Sequence, residues 1–209
     1  MKRLFLVLGL IVALGIGAPA YAQAPNAQAP NEWTIDTAHT AAQFAVRHLM
    51  VSTVRGQMGP VKGTITWDGK DVKTIAADVV IDVTGLNTRT EGRDKHLRSA
   101  DFFDAENFPT MTFKSKRAEP AAEGHFTLVG DLTIRGNTHE VTLDVEGPMA
   151  PIKQRNSLRT GATATTKISR KAFGLLWNNL METGGAVVAD EIQVQIDLEA
   201  IQKVAEPAK

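Results

Sequence analysis

The dominant pattern along this chain is a strict alternation of apolar and polar residues. The longest example runs from Ile192 to Ala200, where aliphatic residues alternate with Gln, Asp and Glu. Period-two alternation is typical of a β-strand with one face buried and the other in water. The same pattern recurs at 79–83, 126–134 and 141–145. We therefore predict an all-β protein.

Turn signals separate these runs, which sets the spacing of the predicted strands. They are Asp68-Gly69, Gly136-Asn137, Gly147-Pro148 and Gly184-Gly185. Many short amphipathic strands joined in this way indicate an antiparallel sandwich or barrel. A closed barrel of about eight strands can hold one small ligand, whereas a sandwich fills its core with side chains. Alternation alone leaves both architectures open.

One stretch, 88–115, departs from the alternation and predicts the only convincing helix. It reads TRTEGRDKHLRSADFFDAENFPTMTFKS. Thr88 and Glu91 have the spacing of a capping box, in which each side chain reaches the other's backbone N–H. The helix is therefore predicted to begin at Thr88, and we expect it near the mouth of a barrel. The segment 175–188 follows neither pattern, and its role stays open.

The predicted helix carries a basic face next to large aromatic rings. Arg89, Arg93 and His96 are spaced so that they share one side of a helix. The adjacent Phe102 and Phe103 follow directly. This combination suits a ligand with a polar or charged head and an apolar body. Solvated arginines beside an ordinary phenylalanine core explain the same pattern.

The N-terminus has the pattern of a targeting segment. Lys2-Arg3 is followed by an apolar run from Leu4 to Gly17 and then by Ala20-Tyr21-Ala22. This order is that of a secretory signal peptide, residues 1–22, with cleavage after Ala22. The apolar run is shorter than the roughly 20 residues that span a bilayer. We therefore expect export to the periplasm.

The rest of the chain divides into one domain with short flanks. Residues 23–31 consist mainly of Ala, Gln, Pro and Asn and predict a disordered leader. Residues 32–203 are long enough for a single domain with its own core. Residues 204–209 are predicted to be a disordered tail.

Composition and charge narrow the function classes. The chain has no cysteine, so the exported domain must be stable without disulfides. Without Lys2 and Arg3, acidic residues outnumber basic ones by two. Nucleic-acid binding usually requires a strongly basic patch, so we expect no nucleic-acid partner.

Short motifs for catalysis or cofactors are missing from the sequence. The five histidines lack the spacing of a zinc site. The chain contains neither a GxSxG nucleophile elbow nor a phosphate-binding glycine loop. We therefore predict no catalytic residue, no metal and no cofactor other than a bound ligand.

Five ordered blocks of sequence resemble the YceI-like family of small bacterial lipid-binding proteins. One is the segment RDKHLRSADFFDAENFPTMTFKS within 88–115, and the others lie along the remainder of the domain. They are Trp33–Asp36 with His39-Thr40 and Phe44–Leu49, Val51–Gly56, Gly130–Gly136 and Ile168–Gly174. The resemblance implies a lipocalin-like barrel that holds a long isoprenoid lipid, such as a polyprenyl phosphate or a quinone, and it does not imply an enzyme.

The resemblance and the residue chemistry together suggest contacts for such a ligand. For the head group the candidates are Arg89, Arg93, His96, Arg47 and His39. For the tail they are Phe44, Val46, Phe103, Phe108, Met111, Phe113, Phe173, Trp177 and Leu180. Packing in an ordinary core is the alternative explanation for each tail residue.

Two rival functions stay open beside the lipid carrier. A solid barrel that binds a membrane or periplasmic protein would have a filled interior and an exposed apolar patch near Met149–Thr160. An enzyme acting on a bound amphiphile would need His39 or His96 as general base. A homodimer and transient contact with a membrane or a membrane protein are further expectations.

Overall fold

The computed structural model describes residues 31–179 and 187–204. The predicted signal peptide, residues 23–30 of the predicted leader, Leu180 and the predicted tail beyond Val204 lie outside the described residues. Within them are eleven strands, one α-helix (α1, Glu91–Arg98) and a short 3-10 helix (Val72–Thr74). The strands are β1 (Glu32–Ile35), β2 (Ala41–His48), β3 (Ser52–Met58), β4 (Val61–Thr66), β5 (Ala76–Asp82), β6 (Thr110–Pro120), β7 (His125–Ile134), β8 (Asn137–Glu146), β9 (Ile152–Gln154), β10 (Ser157–Ser169) and β11 (Val188–Lys203).

Eight of these strands form a closed antiparallel barrel. Their order around the barrel is β11, β1, β4, β5, β6, β7, β8 and β10, and β10 pairs with β11 again. That closing pair is continuous from Ser157 opposite Lys203 to Ser169 opposite Glu191. Closure leaves no free sheet edge in the barrel wall, which distinguishes it from a sandwich. The prediction of a lipocalin-like barrel of about eight strands with one short helix is confirmed.

The three remaining strands extend the wall beside β10 and β11. Strand β1 has four residues, whereas β11 has sixteen. The C-terminal part of β11 pairs with β1 around Ala200, and its N-terminal part, from Val188 to Asp197, pairs with β2. Strand β3 then pairs with β2, and β9 pairs with the start of β10. The β2–β3 hairpin therefore continues the wall where β1 ends.

The alternation in sequence corresponds to the inside and the outside of the barrel. On β7 and β8 the apolar residues of each run are buried, apart from the half-buried Leu132 and Val141, and the polar residues between them are half-buried or exposed. Trp33 and Val61, on the neighbouring β1 and β4, are almost completely buried. Because side chains in a strand point alternately to opposite faces, one parity of each run builds the interior.

The helix begins later than the sequence indicates. The N-cap of α1 is Thr90, which makes no side-chain capping hydrogen bond. Thr88 donates both its backbone N–H and its hydroxyl to the buried carboxylate of Asp94. Arg89 follows with a left-handed backbone, φ 65°. The predicted start at Thr88 and its capping box are therefore wrong, and Arg89 does not belong to a helix face.

The helix lies where it was expected, at one end of the barrel, because it connects the end of β5 to the start of β6, where Asp82 is opposite Thr110. Its residue Leu97 lines the interior. Among the described residues, none of the helices is both long enough and apolar enough to cross a membrane.

Candidate functional site

The barrel encloses a cavity of about 230 Å³. Inward residues of the barrel strands and of β2 line it, together with side chains from α1 and the segment that follows. A filled interior, which a solid interaction barrel without a ligand would have, is therefore contradicted. The aromatic residues that line the cavity are Trp33, Phe44, Trp67, Phe102, Phe103, Phe113 and Phe126, and aliphatic residues and methionines make up most of the remaining lining.

The two ends of the cavity are built differently. At one end Trp33 and Trp67 pack with ring centroids 5.7 Å apart, and the Trp33 indole donates to the Trp67 carbonyl. At the other end the lining comes from α1, from the segment after it, and from Leu175 and Val188. We call the first the tryptophan end and the second the helix end.

Polar groups are rare along the lining. Thr160 and Thr166 donate their hydroxyls to backbone carbonyls, and Gln43 donates its amide to Asp197. These hydrogen bonds use the two hydroxyl donors and the amide nitrogen, and most of the other lining residues are apolar. Within residues 31–179 and 187–204, Arg170 is the only charged residue that lines the cavity.

Arg170 lies at the helix end and is 3% exposed. Its Nε donates to the Ala189 carbonyl at 3.0 Å, and one Nη donates to the carbonyls of Leu175 and Trp177. The other Nη has only a long contact of 3.4 Å, to the Val188 carbonyl. The guanidinium is therefore fixed by neutral acceptors and keeps donor capacity on one nitrogen.

The charge of Arg170 is weakly compensated. No carboxylate of the described residues forms an ion pair with it within 4.0 Å. Burial lowers the pKa of the guanidinium, and the charge of Asp190 acts in the opposite direction. A buried cation of this kind favours an anion or another electron-rich oxygen beside it.

Sequence reasoning missed Arg170, although a signal was present. The even-numbered residues of β10 from Thr160 to Ile168 line the interior, and Arg170 continues that parity just after the strand. A charged residue in register with an inward apolar face is unusual, because burying a charge is costly. That break in the pattern is what would have identified it.

Five of the predicted tail residues line the cavity, and three do not. Phe44, Val46, Phe103, Met111 and Phe113 are part of the lining. Whether they contact a ligand stays a prediction.

Three predicted tail residues pack elsewhere, and the fourth, Leu180, lies outside the described part of the chain. The ring of Phe108 lies over Gly136. Phe173 is buried edge-on against His139, with centroids 5.1 Å apart. Trp177 packs against the rings of His96 and Phe102, with centroid distances of 4.9 and 5.0 Å. These rings support the walls and loops around the cavity.

None of the five predicted head-group residues lines the cavity, and the structure does not bring them together. Arg93 binds the hydroxyls of the threonines before α1 and a carbonyl there. His96 bonds to Asp101 at 2.9 Å. Arg47 holds the turn after β2, Arg89 is exposed, and His39 bonds to Asp36. Their assignment to a head group stays a prediction.

His39 belongs to an ionic cluster that ties β1 to β10 and β11. Arg159 contacts both Asp36, at 2.9 Å, and Glu199. The hydrogen bond with His39 is the main reason why the pKa of Asp36 falls to about 2. The same bond raises the pKa of His39. Ligand atoms of Asp36, His39 and Glu199 lie within 4.8 Å of one another, the spacing of a metal site, but Arg159 already supplies their positive partner.

Comparison with known proteins gives one consistent relationship. A UPF0312 protein of Staphylococcus aureus is 34% identical over 168 residues, which cover 80% of this chain and 95% of the relative. The solved Campylobacter jejuni YCEI protein is 28% identical with a TM-score of 0.63, over 75% of this chain and 90% of that one.

Two further solved structures share the fold at lower identity. Burkholderia cenocepacia BcnA has a TM-score of 0.66 at 22% identity, over 79% of this chain and 98% of that one. A polyisoprenoid binding domain from Saccharophagus degradans, implicated in plant cell wall breakdown, has a TM-score of 0.58 at 15% identity, over 83% and 98%. The sequence model of the YceI-like domain matches residues 33–200, nearly the whole barrel. The chain therefore belongs to the YceI-like family.

Proposed function

We propose that this protein is a periplasmic carrier that holds an isoprenoid-type lipid inside its barrel. The observation that carries the proposal is the apolar cavity with one buried cation at its helix end. Small-molecule sites combine this kind of apolar wall with a few placed polar groups. The Saccharophagus degradans domain, which shares the fold, is described as binding polyisoprenoids.

The cavity gives the ligand a direction. The apolar tail lies along the inward strand faces towards the tryptophan end, where burial of apolar surface is worth about 25 cal/mol per Å². The head group lies at the helix end, where the free donor capacity of Arg170 meets an oxygen of a phosphate or a quinone. The barrel binds and releases the lipid without a reaction step.

The first test is to identify what the protein carries. Protein purified from its own host is analysed by native mass spectrometry, and the bound material is extracted with solvent. One long-chain isoprenoid per barrel is the expected result. A protein that is empty and also fails to take up added polyprenyl phosphates and quinones would overturn the proposal.

A second test concerns the head group. Polyprenyl phosphate and the uncharged polyprenol of equal length are titrated into the wild type, Arg170→Gln and Lys171→Gln. Arg170→Gln should weaken phosphate binding about tenfold or more relative to the alcohol, or about 1.4 kcal/mol. Lys171→Gln removes an exposed neighbouring cation and should leave the ratio unchanged. Because each variant is compared on both lipids, a general loss of stability cancels. An unchanged ratio in Arg170→Gln would refute the orientation.

The periplasmic location has its own measurement. If the signal peptide is removed after Ala22, the intact mass of the exported protein corresponds to a chain beginning at Gln23. A full-length mass in the cytoplasmic fraction would contradict that part of the proposal.

A further inference from the structure

The turn between β2 and β3 presents consecutive large apolar side chains to solvent. Met50 is 59% exposed and Val51 is 78% exposed, and Leu49 beside them is exposed as well. We call Leu49, Met50 and Val51 the apolar tip. Exposed apolar residues are ordinary when scattered singly, whereas a contiguous group indicates a contact surface.

The backbone of the apolar tip is as unusual as its side chains. Leu49 and Met50 have φ of 51° and 59°, and the turn is closed by the Val51 N–H and the His48 carbonyl at 3.1 Å. Two successive residues with positive φ normally select Asn-Gly, because bulky side chains are strained there. The tip therefore combines exposed apolar side chains with backbone angles that these side chains disfavour. Departures of this kind from local preference are expected at functional sites.

The tip lies at the helix end of the cavity. His48 is opposite Val188 in the register of β2 and β11, and the Leu49 N–H donates to the Val187 carbonyl at 2.8 Å. Val188 lines the cavity, and its carbonyl lies 3.4 Å from Arg170. The tip is therefore next to the place where we put the head group of the ligand.

A cation stands directly behind the tip. The exposed Arg47 donates one Nη to the Met50 carbonyl at 2.6 Å and the other to Thr53 Oγ1 at 3.0 Å. These bonds clamp the turn and hold the guanidinium at its base. Apolar side chains that project beyond a basic group are the pattern of interfacial membrane anchors, in which apolar groups enter the lipid and the cation meets phosphate.

We propose that the apolar tip and Arg47 dock onto an anionic membrane surface. Docking there would turn the helix end of the cavity towards the bilayer from which an isoprenoid lipid is loaded, a consequence that rests on the proposed function. The tip is a protruding turn rather than a groove, and a fluid bilayer accepts a protruding turn without a matching pocket.

The test is co-sedimentation with vesicles of phosphatidylglycerol and phosphatidylethanolamine, and with phosphatidylcholine vesicles for comparison. Leu49→Asn/Met50→Gly puts the preferred residues in the turn, so the fold is kept while the apolar tip is lost. Met149→Gln/Ile152→Gln is the matched control, because those side chains are 53% and 65% exposed in and beside β9, outside the tip. We expect the wild type and the control to bind the anionic vesicles equally, and the tip variant to bind at least tenfold more weakly.

Three results would overturn the docking proposal. The wild type could fail to sediment, the tip variant could sediment like the wild type, or the control could lose binding instead. Light scattering without vesicles tests whether the apolar tip instead binds a second copy of this chain. A wild-type dimer that dissociates in the tip variant would also overturn the docking proposal. Lipid extracted from each variant separates this question from the carrier function, since a filled barrel that ignores vesicles contradicts docking alone.

Discussion

Filling part of the cavity should weaken ligand binding strongly while the protein stays folded. Ala164 is an inward residue of β10 that lines the cavity. Its partners in the neighbouring strands are Val145 and Ile196, which line the cavity too. A phenylalanine in place of Ala164 would therefore project its ring between them into space that we assign to the isoprenoid tail.

The size of the effect follows from the apolar contact that the ligand loses. Burial is worth about 0.8 kcal/mol per CH₂ group, so one five-carbon isoprene unit is worth about 4 kcal/mol. A phenyl ring occupies roughly the room of one such unit. If the tail bends to recover half of that contact, the loss is about 2 kcal/mol. Ala164→Phe should therefore weaken binding by roughly 30-fold to 1,000-fold.

The assay is displacement of a fluorescent polyprenyl phosphate from wild type, Ala164→Phe and Thr165→Phe. Thr165 is the next residue of β10 and is exposed, so Thr165→Phe adds the same ring to the same strand on its outer face. Urea unfolding measures the stability of all three. We expect the stability of Ala164→Phe to change by less than about 2 kcal/mol, because the ring enters empty space and overpacking usually costs 1–3 kcal/mol.

The reasoning fails if Ala164→Phe stays folded and still binds the lipid with the affinity of the wild type. That result would place the ligand outside the barrel. Equal weakening in Thr165→Phe would also refute it, since the outer face does not contact the cavity.

Two further predictions concern stability. Asp36 has its pKa lowered to about 2 by the bond with His39, so its contribution is complete above its ordinary pKa of 3.8 and is lost as the pH falls towards 2. His39 has a raised pKa, so its contribution is complete below pH 6.5 and is lost as the pH rises through that raised value. Urea midpoints measured from pH 2 to 9 should show both slopes in the wild type, and both slopes should be shallower in Asp36→Asn, where only the contribution of this pair is removed. Asp94→Ala should cost about 2–4 kcal/mol, because the N–H and hydroxyl of Thr88 lose their buried acceptor. Glu91→Ala, at an exposed position, should cost less than about 0.5 kcal/mol in the same denaturation experiment, and equal losses would contradict the assigned geometry.

The two ends of the barrel have different roles in the proposed binding of the lipid. The helix end combines the cation of the cavity, the loops around it and the exposed apolar tip, so recognition of the head group and access to a membrane would lie together. The tryptophan end, at which two indoles pack, is the end where we propose that the tail lies.

The sequence by itself determined the strands and their inward faces. Alternation requires one apolar face on each run, and each predicted run at 79–83, 126–134, 141–145 and 192–200 lies in or at the end of a strand with that face buried or lining the cavity. The expectation of a barrel came from the resemblance, since alternation is identical in a sandwich. Four of the predicted tail residues that line the cavity follow the same parity, Phe44 and Val46 on β2 and Met111 and Phe113 on β6, whereas Phe103 lies after α1, outside any strand.

The helix shows where local reading fails. Thr88 and Glu91 have the spacing of a capping box, but the acceptor of the Thr88 hydroxyl is a third residue, Asp94. Sequence spacing specifies which groups are close enough to bond. The packing of the loop decides which partner the Thr88 hydroxyl bonds to. Because α1 begins at Glu91, Arg89 lies outside the helix, and the predicted cationic face of Arg89, Arg93 and His96 does not form.

The parity of β10 indicates an inward cation at position 170, and the tertiary structure decided which groups hold that cation at the cavity. Arg93 and His96 are satisfied by neighbours outside the cavity, whereas Arg170 is buried at its helix end by backbone carbonyls from two separate segments. The pairing of β10 with β11 brings the carbonyls of Trp177 and Ala189 close to Arg170. No local sequence pattern predicts that these carbonyls come together. The sequence therefore determined an apolar interior because parity is local, and closure of the barrel determined the polar end of that interior because it depends on contacts between residues distant along the chain.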